Sequence, residues 1–404
     1  METKCQNKQI RHPIRVLHVV GGMNCGGIES WLMHVLRNND RSRVEHDFLY
    51  AQHSEPCYFD SEIERFGSRI FRLRCPHWNI LKLGQSLRQI MTENGPYDVV
   101  HSHTGWFSGF GMKYAAACGV PVRIAHLHSI LPPSPKTVTG TARRFYVKLM
   151  KRFMHRYVTH GIVCSNDAGK VLGDAWGQDP RWRVVFCGVD LKRFSDPIDK
   201  SQVRRELGIP ENALVVGHIG RFDIRKNHDF IIDVMNELVQ IEKNSILLLV
   251  GTGDLKPAIE EKIDQLGLKT NVIFAGVRSD IPRLLRGAMD CFLFPSLCEG
   301  MGLVGIEAQA AGIPCIISDH LPLATEGNIV PDLIHGLPLS SPAKEWAKKI
   351  CEVKEHDSHC SPVDALHRVT QSKFNIESSL NTLMDLYSGS SNRSCTADKP
   401  CCLV

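Results

Sequence analysis

The sequence predicts an α/β protein made of two doubly wound parallel domains that face each other across a cleft. Three observations carry this reading. Short apolar runs alternate with amphipathic stretches along the chain. Strands that are apolar on both faces and joined by helices belong to parallel sheets covered on both sides. The alternation lapses near VFCGVDLKRFSDPIDKS (185–201) and then restarts, so the series occurs twice. A chain of 404 residues is also longer than one hydrophobic core usually serves.

The first series of strands reads IRVLHVV (14–20), HDFLYA (46–51), YDVVHS (97–102), VRIAHL (122–127) and GIVCS (161–165). Helical periodicity fills the gaps, as in IESWLMHVLRN (28–38) and ILKLGQSLRQIMTEN (80–94). The second series reads ALVVGHIG (213–220), ILLLVG (246–251), NVIFAG (271–276), CFLFPS (291–296) and PCIISD (314–319). The division that follows is a first domain over 1–187, a linker over 188–205 and a second domain over 206–388. The segment 389–404 is small and polar and reads as a disordered tail. Its last four residues, Cys-Cys-Leu-Val, formally fit a prenylation box.

Composition narrows the class. No apolar stretch approaches the roughly 20 residues of a membrane span, and the polar, basic N-terminus METKCQNKQIRHPIR has no signal-peptide core. Fifteen cysteines, scattered except for the adjacent Cys401 and Cys402, show no zinc-finger spacing and read as reduced thiols in a cytosol. Charge is uneven. Residues 1–187 carry 25 Lys+Arg against 14 Asp+Glu, and residues 188–404 carry 23 against 29. The first half therefore suits an anionic partner. The segment ARRFYVKLMKRFMHRY (142–157) concentrates six of these cations with no acid, beside Phe145, Leu149 and Phe153 at a spacing of four. It reads either as a face for anionic lipid headgroups or as a packed helix with a solvated basic side.

Ligands of open parallel sheets sit beyond the C-terminal strand ends. Three stretches at such ends carry chemistry. GGMNCGGIESW (21–31) leads small residues, Gly26 and Gly27 among them, into a helix start, where free N–H groups favour an anion. The dinucleotide spacing G-x-G-x-x-G fails there. GHIGRFDIRKNHDF (217–230) sets Gly220, Arg221 and Lys226 between a strand and a helix, which suits a diphosphate. PSLCEGMGLVGIEAQAAG (295–312) sets Glu299 on a loop and Glu307, eight residues on, in a helix, with Gly300 and Gly302 to turn the backbone sharply and let it approach a ligand. Paired carboxylates accept hydrogen bonds from vicinal hydroxyls, so one can hold a ribose and the other a sugar ring.

Together these motifs resemble the retaining GT-B glycosyltransferases of family 4, nearest to the capsular and exopolysaccharide branch. The residues that carry the resemblance are Glu299 and Glu307 in E-x7-E, GRFDIRKN, FCGVDLKRF (186–194), GGIES, RIAHLHS and EAQAAGIPCIISD. It spans about residues 14–388. It implies two Rossmann-like domains, with an acceptor domain first and a nucleotide-sugar domain second. It also implies a donor that is a UDP-sugar by family habit, and no metal.

By that resemblance, Arg221 and Lys226 neutralise the diphosphate, Glu299 holds the transferred sugar and Glu307 the ribose. Gly26, Gly27, Gly220, Val277, Gly300, Met301, Gly302 and Leu303 line the donor site. Met301 stands where the family often has Phe or Leu. The resemblance also implies a histidine facing the donor sugar. His126 and His128 lie on the same side of their strand, and position in the motif favours His128. HSHTG (101–105) supplies His103 as a second candidate, expected on the acceptor side. The H-x-H spacing suits a metal, but no third ligand is evident in the sequence.

The function expected is transfer of a hexose-type sugar to a lipid-linked or growing polysaccharide acceptor. The enzyme would be cytoplasmic, with contact to the inner face of the plasma membrane and no nucleic-acid partner. A nucleotide-sugar epimerase of the same architecture, and a non-catalytic sugar-nucleotide-binding subunit, are the competing readings.

Overall fold

The computed structural model describes residues 12–52, 55–73, 80–128, 139–355 and 360–389. The expected tail, 389–404, and its Cys-Cys-Leu-Val end lie outside the described residues apart from Gly389.

Two parallel sheets form, one from each series. The first contains β1 (Ile14–Val20), β2 (Val44–Tyr50), β3 (Ile70–Arg72), β4 (Val99–Ser102), β5 (Val122–Leu127), β6 (His160–Val163) and β7 (Trp182–Val184), in the order β3-β2-β1-β4-β5-β6-β7. The second contains β8 (Leu214–Ile219), β9 (Ser245–Val250), β10 (Val272–Gly276), β11 (Cys291–Phe294), β12 (Cys315–Ser318) and β13 (Ile334–Leu337), in the order β10-β9-β8-β11-β12-β13. All ladders are parallel. The central strands are buried along most of their length, and β9 (Ser245–Val250) along all of it. Helices cover both faces. In the second domain one cluster gathers around Phe292, Phe294 and Ile306, and the other around Leu247, Leu249 and Trp346. The periodicity of Gly27–Asn38 is met by burial of Trp31, Leu32, Val35 and Leu36 against the first sheet.

Two parts of the expected division differ. The linker 188–205 is not a free connection, because Val189, Leu191, Phe194 and Val203 are buried in the second core. The second domain does not keep everything up to 388. Helix Ile376–Tyr387 packs on the first domain through Ile376, Leu383, Leu386 and Tyr387. Its apolar stripe finds cover there because the chain crosses back beside the linker. Val189 N donates to Phe374 O at 2.7 Å, and Ile376 N donates to Val189 O at 3.1 Å. The two domains are therefore joined by two adjacent strands of chain.

The basic segment forms helix Thr139–Tyr157. Met150 and Met154 are buried against the first core, with Gly109 of helix Ser108–Ala117 packed close to Met150. Arg144, Lys148, Arg152 and Phe145 point outward, Phe145 being 71% exposed. Among the described residues no helix is long and apolar enough to cross a membrane.

Candidate active site in the interdomain cleft

The strand order turns between β1 and β4 in one sheet and between β8 and β11 in the other. At such a point neighbouring helices leave on opposite faces and a crevice opens. Apart from Val277, which follows edge strand β10, the sequence-predicted residues lie on the loops at these two points or beside them.

In the second domain the loops after β8 and β11 are knit together. Leu297 N donates to Arg225 O at 2.7 Å, and Asn227 Nδ2 donates to Pro295 O at 3.1 Å. Lys226 Nζ stands 2.6 Å from Glu299 Oε1 and 4.7 Å over the Phe294 ring, and its stem runs against Gly220. Asn227 has φ 56°, the one positive φ on a non-glycine among the described residues. Asparagine tolerates that conformation, and here it turns the chain into helix His228–Ile241. Strain at such a spot was not read from the sequence, although RKN ahead of a helix is its signal.

Gly302 has φ 83° and opens helix Leu303–Ala310, so its turning role stands. Gly300 approaches protein. A Cβ there would collide with the His128 carbonyl oxygen and with Cys164 Sγ, so this glycine lets the second domain close on the first. Ser165 Oγ donates to Gly300 O at 2.6 Å, and Glu326 accepts from Asn166 N and Nδ2, each at 2.9 Å. The Met301 side chain is buried in the second core, leaving only its backbone to the loop. Leu303 packs against both cores, and Val277 follows the end of edge strand β10.

Glu307 is half-buried within its helix and has no side-chain hydrogen bond among the described residues. Burial pushes its carboxyl up to about 7. An unpartnered carboxylate next to a cleft is a ready acceptor for hydroxyl groups.

Across the cleft, helix Gly27–Asn38 starts without a side-chain cap. Gly27 faces open space, while Gly26 lies against the Glu29 carboxylate. Glu29, not singled out in the sequence, accepts from its own backbone N–H. Burial raises its pKa, and Arg221 and Arg225 pull it back down. Arg221 is exposed and makes a long contact, 3.4 Å, to Cys25 O.

The first-domain histidines form a buried network. His46 Nδ1 meets His18 Nε2 at 2.8 Å, His18 Nδ1 meets His103 Nε2 at 3.1 Å, and His103 Nδ1 meets His128 Nε2 at 2.9 Å. His101 bonds His126 at 3.3 Å and Tyr387 Oη at 2.9 Å. Burial holds His18, His101, His103 and His126 well below the ordinary histidine range, and His128 down to about 3. All five are neutral at physiological pH.

The structure separates the pair that strand periodicity left open. His126 is fully buried, whereas His128, just past the end of β5, is half-buried, with Nε2 at His103 and Nδ1 3.9 Å from Cys187 Sγ. His103 departs from the acceptor-side expectation. It is 7% exposed and sits behind His128 with both ring nitrogens occupied. The missing third metal ligand is also corrected. Ring nitrogens of His18, His101 and His103, and of His103, His126 and His128, lie within 4.8 Å of one another in each triplet. The sequence hides this because the partners come from three strands. Both nitrogens of His18, His101 and His103 already face other side chains.

Residues 199–362 match the family "Glycosyl transferases group 1", and residues 25–193 match "Glycosyltransferase Family 4". The chain is 36% identical over 341 residues to the putative glycosyltransferase EpsF of Bacillus subtilis (strain 168), covering 83% of this chain and 86% of that protein. It is 27% identical over 273 residues to the UDP-Gal:alpha-D-GlcNAc-diphosphoundecaprenol alpha-1,3-galactosyltransferase of Escherichia coli, covering 65% and 68%. Among solved structures, Anabaena Alr3699/HepE in complex with UDP and glucose superposes with a TM-score of 0.77 at 22% identity, covering 93% of this chain and 99% of that one. With the two facing parallel sheets and the order of the motifs, these matches establish that the chain belongs to the family 4 glycosyltransferases and has the GT-B fold.

Proposed function

We propose that this glycosyltransferase moves a hexose-type sugar from a UDP-sugar, with retention of configuration, to a lipid-linked or growing polysaccharide acceptor. The observation that carries this reading is the contact of Lys226 with Glu299 between neighbouring loops of the second domain, with Glu307 in the helix that follows and Arg221 turned to the first domain. The relatives support it. The Escherichia coli protein is named for a UDP-Gal donor and a diphosphoundecaprenol acceptor, and the Anabaena protein was solved with UDP-glucose.

Each residue takes a part that its position suits. Lys226 and Arg221 hold the diphosphate and stabilise the charge that grows on the leaving oxygen. Fixed cations there act more on the transition state than on the ground state. Glu307 accepts the ribose hydroxyls, and Glu299 accepts hydroxyls of the sugar. Retention through a covalent intermediate needs a carboxylate nucleophile near the anomeric carbon. Glu299 is engaged with Lys226, and Glu307 sits one helix turn into the second domain. We therefore favour front-face displacement, in which the departing phosphate takes the acceptor proton. Burial keeps His128 neutral, so no extra positive charge opposes the oxocarbenium-like sugar.

We read the transfer as metal-free, with the two cations in the role that a metal would play. The basic outer face of Thr139–Tyr157 brings the acceptor side against an anionic membrane surface, peripherally and on the cytoplasmic side. The deciding experiment incubates the purified chain with a panel of UDP-sugars and a lipid-diphosphate acceptor. UDP release that depends on acceptor, with an α-linked product by NMR when the donor is α-linked, supports the reading. Conversion of the donor to its epimer without acceptor, or an inverted product, contradicts it.

A further inference from the structure

The contact between Lys226 and Glu299 raises a question that the donor-binding roles alone do not answer. The two side chains are 16% and 13% exposed, and 2.6 Å separates Nζ from Oε1. Among the described residues Lys226 is the one side chain that hydrogen-bonds the Glu299 carboxylate. The group meant for phosphate and the group meant for sugar thus satisfy each other. A diphosphate that reaches Lys226 meets this carboxylate at once. The ammonium has three donors and can serve both anions. That arrangement, however, holds like charges around one nitrogen, within about 5 Å of each other, where solvent screens them poorly. If the pair opens instead, Glu299 is left half-enclosed without a partner, which is unfavourable for a carboxylate.

A sugar-bearing donor changes the outcome. Its hydroxyl groups donate to Glu299 as the diphosphate takes Lys226, so both groups exchange one partner for another. A diphosphate without sugar offers Glu299 nothing. We propose that the Lys226–Glu299 pair is an exchange switch: it discriminates for the intact nucleotide sugar, against the spent nucleoside diphosphate, and speeds product release after transfer. The proposal rests on the reading that Lys226 binds the diphosphate and Glu299 the sugar hydroxyls.

The test is calorimetric titration of the full chain as wild type, Glu299→Gln, Lys226→Ala and the double variant. The ligands are inorganic pyrophosphate, UDP, UDP-glucose and UDP-galactose. Pyrophosphate carries the charge without a base or a sugar, so its arm is decisive whatever the true donor is. Glutamine keeps the shape of Glu299 and removes its charge. The expected result is that Glu299→Gln binds UDP and pyrophosphate about tenfold more tightly than wild type. The same variant binds the sugar-bearing donor no more tightly, and the gain disappears in the Lys226→Ala background. Unchanged or weaker UDP and pyrophosphate binding in Glu299→Gln overturns the switch. It would show that Glu299 merely holds Lys226 in place. If Lys226→Ala weakens UDP in that case, the donor-site reading survives without the switch. If Lys226→Ala leaves UDP and pyrophosphate binding intact, the diphosphate assignment falls and the switch with it.

Discussion

Gly300 of the second domain packs directly on the backbone carbonyl of His128 in the first, with no room between them for a Cβ. The closed cleft thus depends on a residue without a side chain, in the same loop that carries Glu299. Gly300→Ala should prop the domains apart while sparing both cores. A misplacement of about 1 Å is enough to reduce turnover about 100-fold. Steady-state kinetics beside a thermal melt check this. A near-normal melting temperature with kcat/KM down by that order is expected, and unaltered kcat/KM would show that the contact does not matter for closure.

Glu307 makes donor binding pH-dependent. Its carboxyl is raised by burial from 4.5 to about 7, so near neutrality both forms are present. A ribose diol needs the ionised form as acceptor. UDP affinity should therefore rise with pH through about 7 and level off above it, and Glu307→Gln should remove that rise. The stability sign runs the other way. A carboxyl whose folded pKa is raised favours the folded chain when protonated, and that contribution is lost as pH climbs from 4.5 to about 7. UDP titrations at several pH values test the binding claim, and a flat profile in the wild type would remove it.

Helix Thr139–Tyr157 should bind anionic vesicles through its outer face. Lys151 is less available than the sequence suggests, because its ammonium donates to Val171 O at 3.2 Å and lies 4.7 Å over the Trp106 ring. The outward set is Arg144, Lys148 and Arg152 with Phe145. Each basic residue near such a surface contributes about 1 kcal/mol, screened by salt. The fourfold Ser variant should lose sedimentation with phosphatidylserine vesicles and keep its affinity for UDP. Equal sedimentation of variant and wild type would mean that another face, or none, meets the membrane.

Chelation should leave turnover unchanged. The two histidine triplets are the natural places for a metal among the described residues, but most of their nitrogens are engaged with one another. Activity measured in excess EDTA should match the untreated enzyme. Loss on chelation, restored by zinc, manganese or magnesium, would make one of the triplets a metal site.

The sequence shows the frame of this molecule well and its crossings poorly. The expected runs 14–20 and 122–127 coincide with β1 and β5, because strands buried over most of their length read as mainly apolar runs. Edge strands β3, β7 and β13 were missed. They are three or four residues long and half-buried, so neither length nor apolar continuity marks them. Lys226 and Glu299 stood out in the sequence because both follow strand ends beside glycines. Their direct contact was not, since it depends on β8 and β11 being neighbours. The return of Ile376–Tyr387 to the first domain was hidden for the same reason. Its stripe shows that it packs, not on what. Glu326 reaches across to Asn166, 160 residues away, and no local pattern announces it.

The central claim is that the two cations at the junction of β8 and β11 hold the donor's diphosphate through the transition state. Turnover of Lys226→Ala and Arg221→Ala, each verified as folded by circular dichroism, tests it most directly. Removing such a fixed charge removes roughly 3 kcal/mol of transition-state stabilisation, or about 100-fold in rate. The account predicts a loss of that order in each variant, with the secondary structure intact. Near wild-type turnover in both folded variants would contradict it.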